Sequence, residues 1–463
     1  MNSRRRGEGA PLRESADTSR CAIRSSWRVG ALGVLAVCLS GCAVYHDKPL
    51  PTGPDWVGAA ALHVPASRFG LAGLAPAPLD PRRGFTAINL MELAVAGDPQ
   101  LQAARSRAAV AGAQLLAAGL LPDPQIAAGL SRSPLHTGYS LGLMEDVRTL
   151  MTMHAAEQAA AAHARQVNLE ILWQEWQVAA RARELFVRAR KLRRLRAVLA
   201  PERRLLNALI NRSAREVAHG TVTSGQLAAQ IVEWNAAERQ WRALALEDNL
   251  TWHQIDGLLD LRPGTRLRLR RGLRQRPLSS RRFQAALGAL PRRRPDLLAL
   301  RAGYRSAEES LRLQILRQFP MIGVGVQRAE AADDAVHTYG FDVTLTLPLF
   351  NRNRGAIAVA RASRAYLYRV YQADVDTAMN QAHQLFAAER ILRRQLRAAQ
   401  RHLAQVRRLQ STAHASFERG ELDLSSYTSV LGDVAAARMQ RIGLQASLEQ
   451  TRAALSALLM LPP

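Results

Sequence analysis

The sequence predicts a mainly α protein with a small β part, in which one long helical hairpin is present twice. Three observations carry this. Tyr139 to Pro263 lies on Tyr339 to Pro463 at a constant offset of 200 residues without a gap, which places Ala182, Leu185, Phe186, Arg190 and Gly220 on Ala382, Leu385, Phe386, Arg390 and Gly420. A repeat unit of this size describes a body made of two equivalent halves, not a short-period solenoid. Each half also holds a helical run longer than a globular core uses, about Thr152 to Ala218 and Gly355 to Glu418; at the helical rise each approaches ~100 Å. Ahead of each run the apolar period changes to two, which marks strands.

The first segment concerns location. Arg24 and Arg28 precede an apolar stretch from Val29 to Leu39, closed by Leu39-Ser40-Gly41-Cys42. Charge, short apolar core and small-residue site make a secretory signal over residues 1–41, too short to span a bilayer. Leu39 to Cys42 resembles a bacterial lipobox, which implies a diacylglyceryl thioether on Cys42. Cys21 and Cys38 leave with the signal, so no disulfide is available to the mature chain. The removed segment carries seven arginines against three acids, and the mature chain keeps +21 of the formal +25.

Residues 42–84 form a linker rich in Pro and Gly, from Pro49 to Pro81. The first repeat, 85–263, opens at Thr86 as an N-cap, and helical spacing runs to about Leu121 with an interruption near Gly97 to Pro99. After a connector, 264–281, the second repeat, 282–463, follows the same plan to Phe319 with a break near Pro291 to Pro295. Then Ile322, Val324 and Val326 alternate with glycine, and Phe341, Val343, Leu345 and Leu347 alternate with Asp342, Thr344 and Thr346. These are two strands of about 9 to 11 residues, the length a tilted strand needs to cross a bilayer; a soluble hairpin packed on helices fits the pattern equally. The first copy is weaker: Ile126, Ala128 and Leu130, then Tyr139, Leu141 and Leu143, before Glu145 and Asp146 break the alternation. The long runs that follow show an apolar side along Leu169, Leu172, Val178, Leu185 and Leu192, with Glu170 and Glu389 read as i, i+4 partners of Gln174 and Arg393. Each turns at a glycine, Gly220 or Gly420, and a second long helix returns to Leu261 or Leu461.

Charge and motifs exclude several classes. The positive charge is almost all arginine, Lys48 and Lys191 being the only lysines. The arginines are spread over helical faces without interleaved stacking aromatics, which argues against a nucleic-acid partner, as does the export signal. His154 and His163, or His402 and His414, lack metal-ligand spacing, and no phosphate loop or nucleophile elbow is present, so no catalytic residue, metal or cofactor is expected. Trp173, Trp176, Trp234, Trp241 and Trp252 read as packing residues.

A helix, a strand pair, and a long helical pair with a glycine turn, all duplicated behind a lipobox, resemble the TolC-like outer membrane efflux protein family over about residues 85–463. The resemblance is most specific at Leu347-Pro348-Leu349-Phe350-Asn351-Arg352-Asn353-Arg354-Gly355, similar to the family's strand-to-helix exit and in wording closer to its heavy-metal branch, and at Phe417-Glu418-Arg419-Gly420-Glu421-Leu422, similar to its helix-tip turn. It implies an outer membrane factor lipoprotein: a homotrimer in which each copy gives four strands to one transmembrane β-barrel and its helical hairpins to a periplasmic α-barrel. It implies a passive exit duct held in outer membrane lipid, serving an inner-membrane efflux pump through a periplasmic adaptor protein. The alternative is a periplasmic helical adaptor or scaffold lipoprotein, which should carry a compact β-domain that is not visible.

By the same resemblance the adaptor docks at the tips, Gly220, Thr221, Val222, Thr223 and Ser224 in the first repeat and Gly420, Glu421, Leu422 and Asp423 in the second. Family members often carry acidic residues in the first two turns after the second tip. Ser426 and Ser429 stand there in this chain, with Asp433 beyond, so these three are the gate candidates and a ring of carboxylates is not expected.

Overall fold

A computed structural model describes residues 45–58, 84–132, 137–270, 277–330 and 336–461. The signal segment and Cys42 lie outside the described residues, as does most of the linker. The chain divides into two units, Met1–Asp55 and Trp56–Pro463. In the first, residues 45–55 are exposed and without regular structure.

The second unit contains the repeats. Helices α1 (Ala87–Gly97) and α2 (Pro99–Gly119) precede strands β1 (Gln125–Arg132) and β2 (Thr137–Asp146), then α3 (Val147–Ala218) and α4 (Ser224–Leu258). The second copy runs α5 (Ser280–Arg293), α6 (Pro295–Leu316), β3 (Met321–Glu330), β4 (His337–Thr346), α7 (Arg354–Glu418) and α8 (Leu424–Leu458). From β2 and β4 onward the elements keep the 200-residue offset, apart from the start of α7.

Local chemistry sets the boundaries. Thr86 caps α1 through a capping box with Asn89, and Asp98 accepts from the Leu101 N–H at 2.7 Å to start α2 at Pro99. In the second copy the break falls at Arg294, and Pro291 stays within the last turn of α5. Glu145 and Asp146 do not end β2 early, contrary to the expected break. Asp146 closes the strand and then caps α3, accepting from the Arg148 N–H and the Thr149 hydroxyl at 2.9 Å each, so strand passes into helix without a loop. The corresponding exit in the second copy needs seven more residues, with Arg352 and Asn353 at positive φ and the Asn353 amide donating to the Gln314 carbonyl at 2.7 Å. Before α1, position 84 calls for glycine twice over, since its φ is +84° and a Cβ there would lie 2.6 Å from the Arg268 carbonyl oxygen, where the connector comes back to pair with Phe85.

All four strands form one antiparallel sheet in the order β1-β2-β3-β4, with β2 and β3 joining the repeats. Opposed residues share a face. Ile126, Leu143, Val326 and Phe341 make one row, and Val324 opposite Val343 and Ile322 opposite Leu345 extend it. The other face is small or polar: Gly129 opposite Ser140, Gly325 opposite Asp342, Gly323 opposite Thr344. Phe341, Val343, Leu345, Leu143 and Ile126 are exposed, so the hairpins do not lay this face on helices, as a soluble pair would. Ten residues at the strand rise span about 33 Å.

The long helices pack by small residues. Ala155, Ala159, Ala162, Ala179, Ala182 and Ala189 are buried along α3, which packs against α1, α2, α4, α6 and α8. A core around Phe186, Leu90, Ile255 and Leu261 sits where α1 and α4 meet α3; its counterpart stacks Phe283 on Phe386 with ring centres 4.2 Å apart. Trp176 donates its indole N–H to the Ala457 carbonyl at 2.7 Å, and Trp241 lies beneath Arg196 and Arg203, so these tryptophans are packing residues. Two expected helix-surface pairs are replaced. Glu389, only 2% exposed, turns inward to Arg452 of α8 at 2.9 Å, and Glu170 accepts from Gln166 at 2.8 Å.

Candidate functional site at the helix tips

Both tips are built by the same backbone device. In the first repeat the Thr221 N–H donates to the Glu216 carbonyl at 3.0 Å and the Gly220 N–H to Val217 at 3.1 Å; in the second, Glu421 donates to Ser416 at 2.9 Å and Gly420 to Phe417 at 3.0 Å. This paired closure satisfies the last helical carbonyls and needs a left-handed residue, supplied by Gly220 at φ +73° and Gly420 at φ +76°. Nothing stands within 4 Å of a Cβ placed on either glycine, so the backbone conformation alone calls for glycine there. The returning helices are then capped, α4 by a box of Thr223 with Gln226 and α8 by Asp423. Thr221, Thr223 and Ser224 are exposed, as are Glu421 and Asp423, while Val222 and Leu422 are half-buried.

The two tips differ in side-chain chemistry. Tyr427 stacks on Phe417 at 4.8 Å, and its hydroxyl lies 3.2 Å from Nδ1 of His414. The equivalent first-repeat positions are Leu227, Val217 and Ala214, so only the second turn has this aromatic clasp. Arg419 holds Glu421 with two bonds of 2.7 and 2.8 Å, which keeps that carboxyl below its usual range. Asp423 accepts from the Ser425 hydroxyl, from the Ser426 hydroxyl at 2.6 Å and from the Ser426 N–H at 3.0 Å, and these bonds hold it far below the usual carboxylate range. Both carboxylates beside the turn are therefore engaged in holding it.

The gate candidates separate. Ser426 is tied to the cap, whereas Ser429 and Asp433 line a cavity of about 350 Å³ with Glu202 of α3 and Glu233 of α4. Three carboxylates from three helices thus border one space. Burial, reinforced by the Glu233 charge, pushes the Glu202 carboxyl up to about 7, and its Oε2 is enclosed without a hydrogen-bond partner. Glu202 and Glu233 escaped the sequence reading because two acids 31 positions apart on different helices have no local signature. The only available hint was Pro201 inside a helical run, which removes one backbone hydrogen bond beside Glu202.

Among the described residues no helix is long and apolar enough to cross a membrane, and no group of His, Cys, Asp and Glu is arranged to hold a metal ion. What defines the class is the amphipathic four-strand sheet set on two helical hairpins. Residues 287–459 match the sequence profile of the outer membrane efflux protein family. No curated protein matches the chain by sequence. Solved structures share the fold: the outer-membrane channel OprN at 15% identity and a TM-score of 0.70, covering 90% of this chain and 99% of that one. The CmeC outer membrane channel of Campylobacter jejuni has 12% identity and a TM-score of 0.69 over 90% and 94% of the two chains. The outer membrane protein VceC of Vibrio cholerae has 15% identity and 0.67 over 81% and 95%. The second repeat carries the sequence pattern of the outer membrane efflux proteins, and the body carries the fold of these channels.

A pH dependence follows from Glu202. Its folded-state pKa lies above the unfolded value of 4.5, so its contribution to stability is present below that value and lost as pH rises through about 7. Glu202→Gln should flatten the fall in melting temperature between pH 5 and pH 8 relative to the unsubstituted protein. Parallel melting curves across that range would show that Glu202 does not titrate there.

Proposed function

We propose that this protein is the outer-membrane exit duct of a tripartite efflux system, a passive conduit between a periplasmic adaptor with its inner-membrane pump and the outside. The observation that carries the reading is the sheet. One face is mainly apolar around Ile126, Leu143, Val326, Phe341 and Val343, with Glu145, Arg328 and Glu330 toward its ends, and the other is mostly small and polar, the two-sided pattern of strands between hydrocarbon and an aqueous lumen. Its outer strands β1 and β4 each have one unpaired edge among the described residues, and open edges are not tolerated in hydrocarbon. Three copies placed edge to edge close the sheet, which supports a homotrimer with a twelve-strand barrel. The alternative, a periplasmic adaptor or scaffold, leaves the apolar face in water.

The rest of the assembly follows from this reading. Lipid on Cys42 adds a second attachment to the outer membrane, since one acyl chain alone binds weakly. The exposed tips around Gly220 and Gly420 are the ends of the hairpins away from the sheet, where an adaptor reaches the duct. Ser429 and Asp433 belong to the space that a movement of α8 against α3 would change, which fits a gate without a carboxylate ring.

Val343 is exposed in the middle of the apolar face. Val343→Arg should cost about 2–4 kcal/mol of barrel stability and deplete trimers in detergent extracts; an unchanged yield of heat-resistant trimer would contradict the barrel. At the tip, Gly420→Val strains the left-handed turn without touching the sheet. Efflux and cross-linking to the adaptor should both fall while trimer abundance holds, and normal cross-linking would move the contact elsewhere. For the anchor, the N-terminal peptide of the mature protein should begin at Cys42 with the mass of an acylated cysteine. An unmodified Cys42 there would remove lipid from the account.

A further inference from the structure

The middle of the second hairpin is unbalanced in charge. From Arg390 to Phe417, α7 carries arginines and no aspartate or glutamate. Helix α8 packs between α3 and α7, and its Arg438 and Arg441 stand at i, i+3 on one face. From α3, Arg194 reaches the same face one turn further along, donating to Gln445 Oε1 at 3.1 Å. Arg407 comes from α7, close enough, with Arg194 and Arg438, to act on the Arg441 charge.

None of these four guanidinium groups has a carboxylate within salt-bridge distance among the described residues. The nearest acid along this face, Glu449, is held by Arg190 at 3.4 Å and by Gln445 at 3.0 Å. The Nε atoms of Arg438 and Arg441 are enclosed and have no hydrogen-bond partner. Burial lowers the pKa of Arg441, and the three neighbouring cations lower it further. A lysine in such a place could shed its proton, but arginine stays charged in proteins, so neutralisation has to come from a counter-charge.

We propose that Arg194, Arg407, Arg438 and Arg441 form a binding site for a doubly charged tetrahedral oxyanion of the phosphate or sulfate class. Three helices supply the guanidinium groups, and the anion takes its hydrogen bonds from the accessible guanidinium ends of Arg438 and Arg441, which are only partly buried, and from Arg194 and Arg407. Charge-assisted bonds of this kind are among the stronger hydrogen bonds available to a protein. The site ties the first repeat to both helices of the second hairpin and goes beyond the duct reading, on which it does not rest.

The test uses the full-length protein in detergent, with inorganic phosphate or sulfate exchanged for chloride at constant ionic strength. Binding to the native state raises the melting temperature, and the rise grows with the logarithm of ligand concentration above Kd. Phosphate should raise it well beyond chloride, and calorimetry should show at least a tenfold loss of phosphate affinity in the double variant Arg438→Gln, Arg441→Gln. Arg407 is exposed, so Arg407→Gln should fold normally and also weaken phosphate binding. Arg312→Gln removes an equal charge from an exposed position on α6 and should leave binding unchanged. A wild-type response to phosphate no larger than that to chloride would overturn the proposal, as would equal phosphate affinity in the wild type and Arg407→Gln.

Discussion

The close packing of neighbours along α3 is the constraint from which the rest of the structure follows. This single helix of 72 residues touches α1, α2, α4, α6, α8 and strand β3, and it does so with buried alanines over much of its length. A large residue at Ala159, whose carbonyl accepts from the Ser306 hydroxyl at 2.9 Å, would push α6 away and with it the strand that α6 leads into. Because α3 also donates the Trp176 ring N–H to the Ala457 carbonyl and the Arg183 guanidinium to the Ser456 hydroxyl, both repeats are fastened to one element. The second repeat has no equivalent spine. Its α7 makes its main contacts with α6 and α8 only, and its core contribution is the smaller cluster around Phe283 and Phe386.

That fastening places the sheet. The two hairpins would each expose an unpaired edge to the other, but α3 and α6 bring β2 and β3 into register, and eight residue pairs from Tyr139 opposite Glu330 to Asp146 opposite Gly323 seal them together. One apolar row, Ile126, Leu143, Val326 and Phe341, then runs across all four strands, which no single hairpin achieves. On the proposed reading this alignment is what allows one chain to offer a third of a barrel wall. Charged residues stand near the ends of the apolar face, Glu145 at one end and Arg328 with Glu330 at the other, where the wall would meet water.

At the opposite ends of the hairpins the two copies have diverged while their backbones have not. Both turns close with the same hydrogen-bond pair and the same left-handed glycine, but only the second has the Phe417–Tyr427–His414 clasp and the Arg419–Glu421 fork. On the proposed reading, a duplicated frame with unequal ends gives the ring of copies alternating surfaces, one polar and uncharged around Thr221 and Thr223, the other aromatic and charged. The acidic cavity and the arginine patch both draw on α3 and α8, the cavity adding Glu233 from α4 and the patch Arg407 from α7, so opposite charges are sorted along one shared pair of helices.

The sequence by itself determined the repeat, the length of the helices, the tip glycines and the alternation of β3 and β4, because each is a local or periodic property: a cap, a left-handed turn, or a period of 3.6 or 2. Even the Thr86 cap could be placed, since capping uses residues within three positions. It broke the strand pattern before Glu145, whereas β2 runs on through Glu145 and Asp146, because the same aspartate both closes β2 and caps α3 and composition cannot tell a break from a handover. It paired Glu389 with its helical neighbour Arg393, whereas the buried partner is Arg452, 63 positions away. Only the tertiary structure decided which acids share the cavity with Ser429 and Asp433, and which arginines crowd Arg441. Those groupings depend on how α3, α7 and α8 are rotated against one another, and rotation is set by the summed packing of small residues along many turns, a quantity that no short stretch of sequence contains.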